Sequence, residues 1–171
     1  MTDSTVSMSF QVMGRDHVGK TSLVSRFCEN NYTDEYTPTY GLNFDSKEVD
    51  IGDKLVKVNL LDVSGKQEFY PMSVSYYKYK KGIILVFDIS KRETFDFIKK
   101  EVDYIKKEMD DGTELMLVGN KCDLIEQREV TYEEALELGD ELNVPYYEVS
   151  ARSNINVEEI FKELVQLCLN K

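Results

Sequence analysis

Residues 7–27 contain a strand, a loop and a helix in succession, and this stretch limits the possible folds more than any other part of the sequence. Apolar and polar residues alternate over residues 8–12, the alternation breaks at Gly14, and apolar residues return at helical spacing after Lys20. The loop, residues 14–21, has the sequence GRDHVGKT and fits G-x-x-x-x-G-K followed by Ser or Thr. Such a loop wraps a polyphosphate, because its glycines let backbone N–H groups turn inward and the helix start adds positive charge. The flanking strand and helix favour this interpretation over a plain βα turn with a surface lysine.

The composition predicts one globular domain that spans residues 1–171. Charged residues make up 31% and hydrophobic residues 42%, and no apolar run is long enough to cross a membrane. The net charge of −11 would repel nucleic acid and anionic lipid, so we expect neither as a direct partner. The three cysteines share no metal-ligand spacing, which predicts reduced thiols in a cytosolic protein. Residues 1–7 resemble no signal or transit peptide, and we predict a flexible N-terminus there.

The segment after the first helix predicts a loop and then a hairpin. Residues 29–39 have no clear period and contain Pro38, which indicates an exposed loop. Apolar and polar residues then roughly alternate over residues 40–49 and 54–61, with Gly52 and Asp53 between them. This pattern predicts two strands joined by a tight turn.

Strand and helix patterns alternate through the rest of the chain. Further strands are predicted at residues 83–87, 115–118 and 146–149. Helices are predicted at residues 70–81, where the pattern is irregular, and at 93–110, 132–142 and 157–169. This order predicts an α/β fold with a doubly wound, mostly parallel six-stranded sheet, one antiparallel edge strand and helices on both faces. Ligands of such sheets bind at the carboxyl ends of the strands.

Polar motifs follow several of the predicted strands. Thr39 lies in the first long loop, residues 62–65 read DVSG, residues 120–123 read NKCD and residues 150–152 read SAR. Asp123 can accept two hydrogen bonds from a base with adjacent N–H and NH₂ donors, which guanine has and adenine lacks. The NKCD run alone is equally consistent with a turn that contains an Asp helix cap. The phosphate loop in the same chain favours the base-binding interpretation.

The chain is similar to the Ras-like small GTPases over nearly its whole length, and it resembles the Rab branch most. Residues 36–44, YTPTYGLNF, resemble a first switch that continues into the Rab-type strand I-G-V-D-F. Residues 76–78, YYK, and 81–89, KGIILVFDI, resemble the Rab run Y-Y-R-G-A-x-G-x-x-L-V-Y-D-I. The resemblance implies the small G-protein fold and a monomer that binds GTP or GDP with Mg²⁺. It also implies effectors, an exchange factor and a GTPase-activating protein as partners.

The resemblance implies roles for the matching residues. The residues implied to bind the nucleotide are Gly14, Asp16, His17, Val18, Gly19, Lys20, Thr21, Ser22, Tyr32, Tyr36, Asn120, Lys121, Asp123, Ser150, Ala151 and Arg152. The residues implied to hold Mg²⁺ are Thr21, Thr39 and Asp62. The residues implied in catalysis are Lys20, Thr39, Gly65, Lys66 and Gln67.

Several of these roles are specific to one atom group. Lys20 would neutralise the β and γ phosphates, and the Gly65 N–H would sense the γ phosphate. Tyr32 would cover the guanine and Tyr36 would lie over the phosphates, unless both are merely exposed loop aromatics. His17 is interpreted as a loop spacer and not as a titrating switch.

The sequence departs from the family pattern in the second switch and in the phosphate loop. Lys66 stands where the family usually has glutamine, and Gln67 follows one position later. Asp16 stands where many members have a small residue, near the place of the γ phosphate. The chain has no Trp, and Leu61 replaces the Rab tryptophan that forms part of an effector surface. These departures predict weak hydrolysis and leave the partners undetermined.

The C-terminus departs from the Rab pattern as well. Rab proteins end in a flexible tail with prenylated cysteines, whereas this sequence ends in a predicted helix with Cys168 on its apolar face. Either a tail was trimmed, or the protein is not lipidated by itself. We expect a cytoplasmic protein that reaches the cytosolic face of an endomembrane only if it carries a lipidated tail.

Three functions remain in competition at this point. The first is a switch that binds GTP, hydrolyses it slowly and regulates vesicle or membrane traffic, as the Rab resemblance implies. The second is a GTP-binding interaction module with negligible hydrolysis, which Lys66 and Asp16 favour. The third, a P-loop ATPase or nucleoside kinase, is disfavoured by the NKCD motif and by a missing lid segment.

The base-binding role of Asp123 predicts a change of specificity. Asp123→Asn replaces one acceptor by an amide donor, so it should weaken GTP binding and favour xanthosine triphosphate, which has a carbonyl where guanine has its amine. Titration of the variant with both nucleotides measures this. Equal affinity for the two would contradict the role of Asp123.

Overall fold

The chain alternates strands with helices, as predicted. The computed structural model describes residues 5–171. The strands are Val6–Met13 (β1), Leu42–Ile51 (β2), Lys54–Val63 (β3), Gly82–Asp88 (β4), Glu114–Asn120 (β5) and Tyr146–Glu148 (β6). The α-helices are Lys20–Glu29 (α1), Tyr70–Ser75 (α2), Arg92–Glu108 (α3), Tyr132–Leu142 (α4) and Val157–Leu169 (α5). Within the described residues, each helix is too short or too polar to cross a bilayer.

The strands of residues 5–171 form one six-stranded sheet in the order β2-β3-β1-β4-β5-β6. β1 lies between β3 and β4 and is parallel to both, and the pairs β4–β5 and β5–β6 are also parallel. β2 is antiparallel to β3 and forms one edge of the sheet. This confirms the predicted doubly wound, mostly parallel sheet. The hairpin is the source of its single antiparallel strand.

An apolar core lies on each face of the sheet. On one face, α1 and α5 pack together, and Phe27 stacks on Phe161 with ring centroids 4.0 Å apart. On the other face, α3 and α4 pack with α2, and Phe87 of β4 lies 4.9 Å from Phe95 of α3. All seven residues of β4 are buried, because helices cover the sheet on both sides. The predicted continuous apolar run over residues 83–87 reflects this two-sided burial.

Two predicted segments differ from the structure. Val6 and Ser7 belong to β1, so the predicted flexible segment 1–7 does not extend that far, and residues 1–4 lie outside the described residues. The helix predicted over residues 70–81 ends at Ser75. It cannot extend to residue 81, because Tyr79 adopts a left-handed conformation with a φ of 66°. The Asp110 carboxylate accepts the backbone N–H of Tyr79 at 2.8 Å and holds the turn.

A buried amide fixes α2 to the centre of the sheet. Gln11 of β1 is fully buried, and its Nε2 donates to the Ser73 carbonyl at 3.0 Å and to the Ser73 hydroxyl at 3.1 Å. Gln11 lies three residues before Gly14, at the start of the phosphate loop. The contact therefore places the segment that follows β3 beside that loop.

The stack between α1 and α5 should contribute strongly to stability. Phe161→Ala removes a fully buried ring and leaves a cavity, so we expect the free energy of unfolding to fall by about 3–5 kcal/mol. Phe161→Leu keeps most of the apolar volume and should cost only about 1 kcal/mol. Urea unfolding of the two variants measures the difference. Equal losses would show that this site is loosely packed.

Candidate functional site

The loops at the carboxyl ends of the parallel strands enclose an open cleft. The cleft has a volume of about 310 Å³. A smaller cavity of about 130 Å³ adjoins it and shares Gly19, Ser22, Tyr32 and Lys121 with it. The two cavities therefore lie side by side, at the edge of the sheet where the ligands of doubly wound folds bind.

Most of the predicted site residues line these two cavities. Those in the larger cleft are Asp16, His17, Gly19, Lys20, Thr21, Ser22, Tyr32, Tyr36, Thr39, Gly65 and Lys121. Those that the smaller cavity adds are Asn120, Asp123, Ala151 and Arg152. Four more lie buried behind the lining: Gly14, Val18, Asp62 and Ser150.

Two glycines allow the phosphate loop to pass close to other backbone and side-chain groups. A Cβ on Gly14 would lie 2.2 Å from the carbonyl oxygen of Val86 in β4. Gly19 has a φ of 94°, and a Cβ there would lie 2.3 Å from Nδ2 of Asn120. Any side chain at either position would push the loop out of place, which explains the spacing of the motif.

Lys20 is the first residue of α1, and its side chain is buried against the phosphate loop. Its Nζ donates to the Arg15 carbonyl at 2.9 Å. Burial lowers the pKa of Lys20 to about 8, although the carboxylates of Asp62 and Asp16 raise it in part. An anion placed beside such a lysine stabilises its protonated form, because the added negative charge raises its pKa.

Three oxygen-bearing side chains meet beside Lys20. The Thr21 and Thr39 hydroxyl oxygens are 2.9 Å apart, and the Thr21 hydroxyl donates to Oδ2 of Asp62. The other oxygen of Asp62 is buried and has no hydrogen-bond partner among residues 5–171. Burial raises the pKa of Asp62, while the Thr21 hydroxyl and Lys20 lower it. A buried oxygen without a partner and an all-oxygen donor set fit a hard cation such as Mg²⁺.

The residues of the smaller cavity are connected by hydrogen bonds. Nδ2 of Asn120 donates to the Val18 carbonyl at 2.9 Å, and its Oδ1 accepts the Ala151 N–H at 3.3 Å. The Ser150 hydroxyl donates to Oδ1 of Asp123 at 2.6 Å. Asn120 therefore joins the phosphate loop to the loop after β6, and Ser150 orients the carboxylate of Asp123.

Asp88 belongs to this site, although the sequence analysis did not select it. Nζ of Lys121 lies 2.7 Å from Oδ2 of Asp88 and donates to the His17 carbonyl at 2.7 Å. The Asp88 side chain is 1% exposed, and its other oxygen accepts from the backbone and hydroxyl of Ser90. Its signal in the sequence is an acidic residue directly after a continuous apolar strand, at the same edge as the other motifs.

Lys66 and Gln67 do not line the cleft. Both line a neighbouring cavity of about 270 Å³ near α2 and α3, which shares Ser64 and Gly65 with the cleft. Lys66 places its ammonium 4.9 Å from the ring centroid of the exposed Tyr40, and Gln67 is exposed at the start of a 3₁₀ turn. Gly65 contacts the phosphate loop through its carbonyl, which accepts the Asp16 N–H at 3.1 Å. The backbone of Gly65 thus reaches the phosphate loop, while the Lys66 ammonium lies over Tyr40.

The aromatic residues of the first long loop face the cleft. Tyr32 is half-buried with the Arg26 guanidinium 5.8 Å from its ring centroid. Tyr36 stacks on His17 with ring centroids 3.8 Å apart, a contact that the sequence did not predict for this loop residue. Arg152 is exposed and lies 3.5 Å from Asp34 of the same loop. Both tyrosines therefore make specific contacts at the rim.

Comparison with known proteins gives a consistent result. The model of the Ras family matches residues 10–170. Ras-related protein Rab-3 of Caenorhabditis elegans is 34% identical over 94% of this chain and 73% of its own length. Ras-related protein Rab-13 of Bos taurus is 38% identical over 94% of this chain and 79% of its own. GTP-binding protein YPTM1 of Zea mays is 38% identical over 88% of this chain and 72% of its own.

The contact between Asp88 and Lys121 predicts a measurable effect of charge removal. Asp88→Asn keeps the size of the side chain but removes the charged partner of the partly exposed Lys121, so the free energy of unfolding should fall by about 1–3 kcal/mol. The same change at the exposed Asp103 of α3 should have an effect of about 0.5 kcal/mol or less. Urea unfolding of both variants checks this, and similar losses would contradict a structural role for the ion pair.

Proposed function

This chain belongs to the Ras family of small GTPases, and from this premise we propose that it is a switch that binds GTP or GDP in the cleft and its adjoining smaller cavity. One observation carries the proposal. The phosphate loop, the NKCD motif and the two loops around Thr39 and Gly65 come from distant parts of the sequence and converge on one edge of the sheet. A nucleotide that spans the cleft and the adjoining cavity would contact all four segments at once.

The phosphates would lie along the loop at residues 14–21. Lys20 would neutralise the β and γ phosphates, and the phosphate charge would raise the lowered pKa of this lysine and keep it protonated. A chain with a net charge of −11 needs such a local positive site to hold an anion. Gly14, Asp16, Val18 and Gly19 would contribute backbone, and Ser22 would lie at the start of the helix.

The guanine base would lie in the smaller cavity. Asp123, oriented by Ser150, would accept hydrogen bonds from the base N–H and NH₂ groups. Asn120 and Lys121 would support the base and the phosphate loop together, because each already bonds to that loop. Ala151 would present its N–H to the base carbonyl. Tyr32 and Arg152 would cover the outer side.

The hydroxyls of Thr21 and Thr39, together with Asp62, would hold Mg²⁺. The ion supplies charge neutralisation of the phosphate oxygens when bound. Thr39 belongs to the loop between α1 and β2, which has no helix or strand over residues 30–41. A loop of this kind can be drawn inward when a triphosphate is bound and released when it is hydrolysed, which is the basis of a switch.

We expect intrinsic hydrolysis to be weak. To orient an attacking water, a side chain must accept one hydrogen bond and donate another, which a glutamine amide does and the ammonium of Lys66 does not. Asp16 adds a carboxylate beside the phosphate site. Gln67 is exposed and would contribute only after a shift of the loop.

A second function is favoured by one observation. Lys66 and Gln67 both lie outside the cleft, so the chain has the residues to hold a nucleotide without a side chain placed to activate water. The protein would then be a GTP-binding interaction module with negligible hydrolysis. Partners would recognise it in one nucleotide state.

The cellular role follows from the relatives by analogy. Because Rab proteins are among the matches, we expect the protein to act in vesicle or membrane traffic. Its partners would be effectors, an exchange factor and a GTPase-activating protein, and it would act as a monomer. We expect it in the cytoplasm, and on the cytosolic face of an endomembrane if the native protein carries a lipidated tail.

Identification of the bound nucleotide tests the central proposal. The purified protein is denatured, and the released small molecules are separated by chromatography. We expect GDP or GTP in close to equimolar amount. An adenine nucleotide, or no nucleotide together with no binding of added GDP, would overturn the proposal.

The side chain at position 66 is expected to affect the rate of GTP hydrolysis. Lys66→Gln supplies a group that can both accept and donate, so single-turnover GTP hydrolysis should become faster by something on the order of tenfold, or about 1.4 kcal/mol of barrier. Lys57→Gln makes the same change at an exposed position of β3 and should leave the rate unaltered. A fast unmodified protein that slows in Lys66→Gln would instead give Lys66 or Gln67 a direct catalytic role.

A further inference from the structure

A stack of two aromatic rings connects the phosphate loop to the first long loop. The rings of His17 and Tyr36 have centroids 3.8 Å apart and an interplanar angle of 20°. Both residues line the cleft of about 310 Å³. The His17 side chain is 49% exposed and Tyr36 is 51% exposed, so the stack lies at the rim and not in the core.

His17 is the fixed member of the pair. Its φ of 64° lies in the left-handed region, which histidine adopts more readily than most residues. Its carbonyl accepts from Lys121 at 2.7 Å, and its Nδ1 lies 3.2 Å from Oδ2 of Asp16. Because Lys121 also pairs with the buried Asp88, the backbone that carries the ring is anchored to β4.

Tyr36 is the member whose position depends on the stack. It belongs to residues 30–41, which contain no helix or strand. This loop is tied to the rest of the cleft by contacts between single side chains, such as that between the hydroxyls of Thr39 and Thr21 at 2.9 Å. A stacked ring pair adds to such contacts an attraction beyond the surface that it buries.

We infer that His17 is a positioning residue that holds Tyr36 across the phosphate end of the cleft and so slows the release of bound nucleotide. The inference rests on the proposed function, since it assumes that a guanine nucleotide occupies the cleft. Both rings of the stack belong to the protein, and the contact between them needs no γ phosphate. The stack therefore retains GDP and GTP to a similar extent, unlike a closure that only a triphosphate would induce.

Release of a fluorescent GDP, chased by excess unlabelled GDP, tests this inference. His17→Asn removes the ring, and asparagine also tolerates the left-handed backbone, so the loop keeps its shape. Tyr36→Leu removes the other ring. Each variant should release GDP about three- to tenfold faster than the unmodified protein. The double variant should be no faster than either single variant, because only one contact is lost in all three.

Two further measurements separate the stack from general effects. Tyr36→Phe keeps a ring at this position, so its release rate should return toward that of the unmodified protein. Tyr104→Leu removes a partly exposed tyrosine of α3 outside the cleft and should leave the rate unchanged. A fluorescent non-hydrolysable GTP analogue should show the same ratio of rates between His17→Asn and the unmodified protein as GDP does.

The possible outcomes are distinct. The role of His17 would be overturned by an unchanged rate of GDP release in His17→Asn. It would also be overturned if the effects of the two single variants multiplied in the double variant, or if only release of the GTP analogue changed. None of these results would contradict the nucleotide site itself. Failure of the unmodified protein to bind either fluorescent nucleotide would overturn the proposed function and this inference together.

Discussion

The parallel pairing of β1 with both β3 and β4 is the interaction on which the candidate site depends. It brings the phosphate loop, which follows β1, between the segments that follow β3 and β4. Gly14 lies so close to the Val86 carbonyl of β4 that no side chain fits between them. Gln11 of β1 adds a second constraint, because its buried amide bonds to Ser73 and holds α2 against β1. The central strand thus sets the position of everything around the cleft.

The carbonyl groups of the phosphate loop explain why distant residues must gather around it. A loop that turns its N–H groups toward a ligand leaves its carbonyls pointing outward, and buried carbonyls need donors. The carbonyls of Arg15, His17 and Val18 accept from Lys20, Lys121 and Asn120, respectively. Two of these donors belong to the NKCD motif after β5. This motif therefore supports the loop that would hold the phosphates as well as the cavity that would hold the base.

The loops around Thr39 and Gly65 are held in place by fewer contacts than this framework. Their contacts with the rest of the site come from individual groups, among them the Thr39 hydroxyl, the Tyr36 ring, the Asp34 carboxylate and the Gly65 carbonyl. Segments with few buried contacts open at low free-energy cost, as a switch requires. Lys66 is also held by few contacts, because its ammonium lies over the exposed ring of Tyr40 and not in the cleft. The stable part of the site would hold the nucleotide, and the conformation of the weakly held loops would change between the GDP and GTP forms.

The sequence by itself determined the alternation of strands and helices, the antiparallel hairpin and the residues of the phosphate loop, because these depend on periodicity and on local backbone requirements. It did not show that residues 76–81 leave the helix, in a segment where Tyr79 is left-handed and its N–H bonds to Asp110, 31 residues away. It also did not show the pairing of Asp88 with Lys121, the stack of His17 on Tyr36 or the orientation of Lys66. These contacts join residues that are far apart in the chain. Only the tertiary structure decides them, because no local pattern records which side chains the sheet brings together.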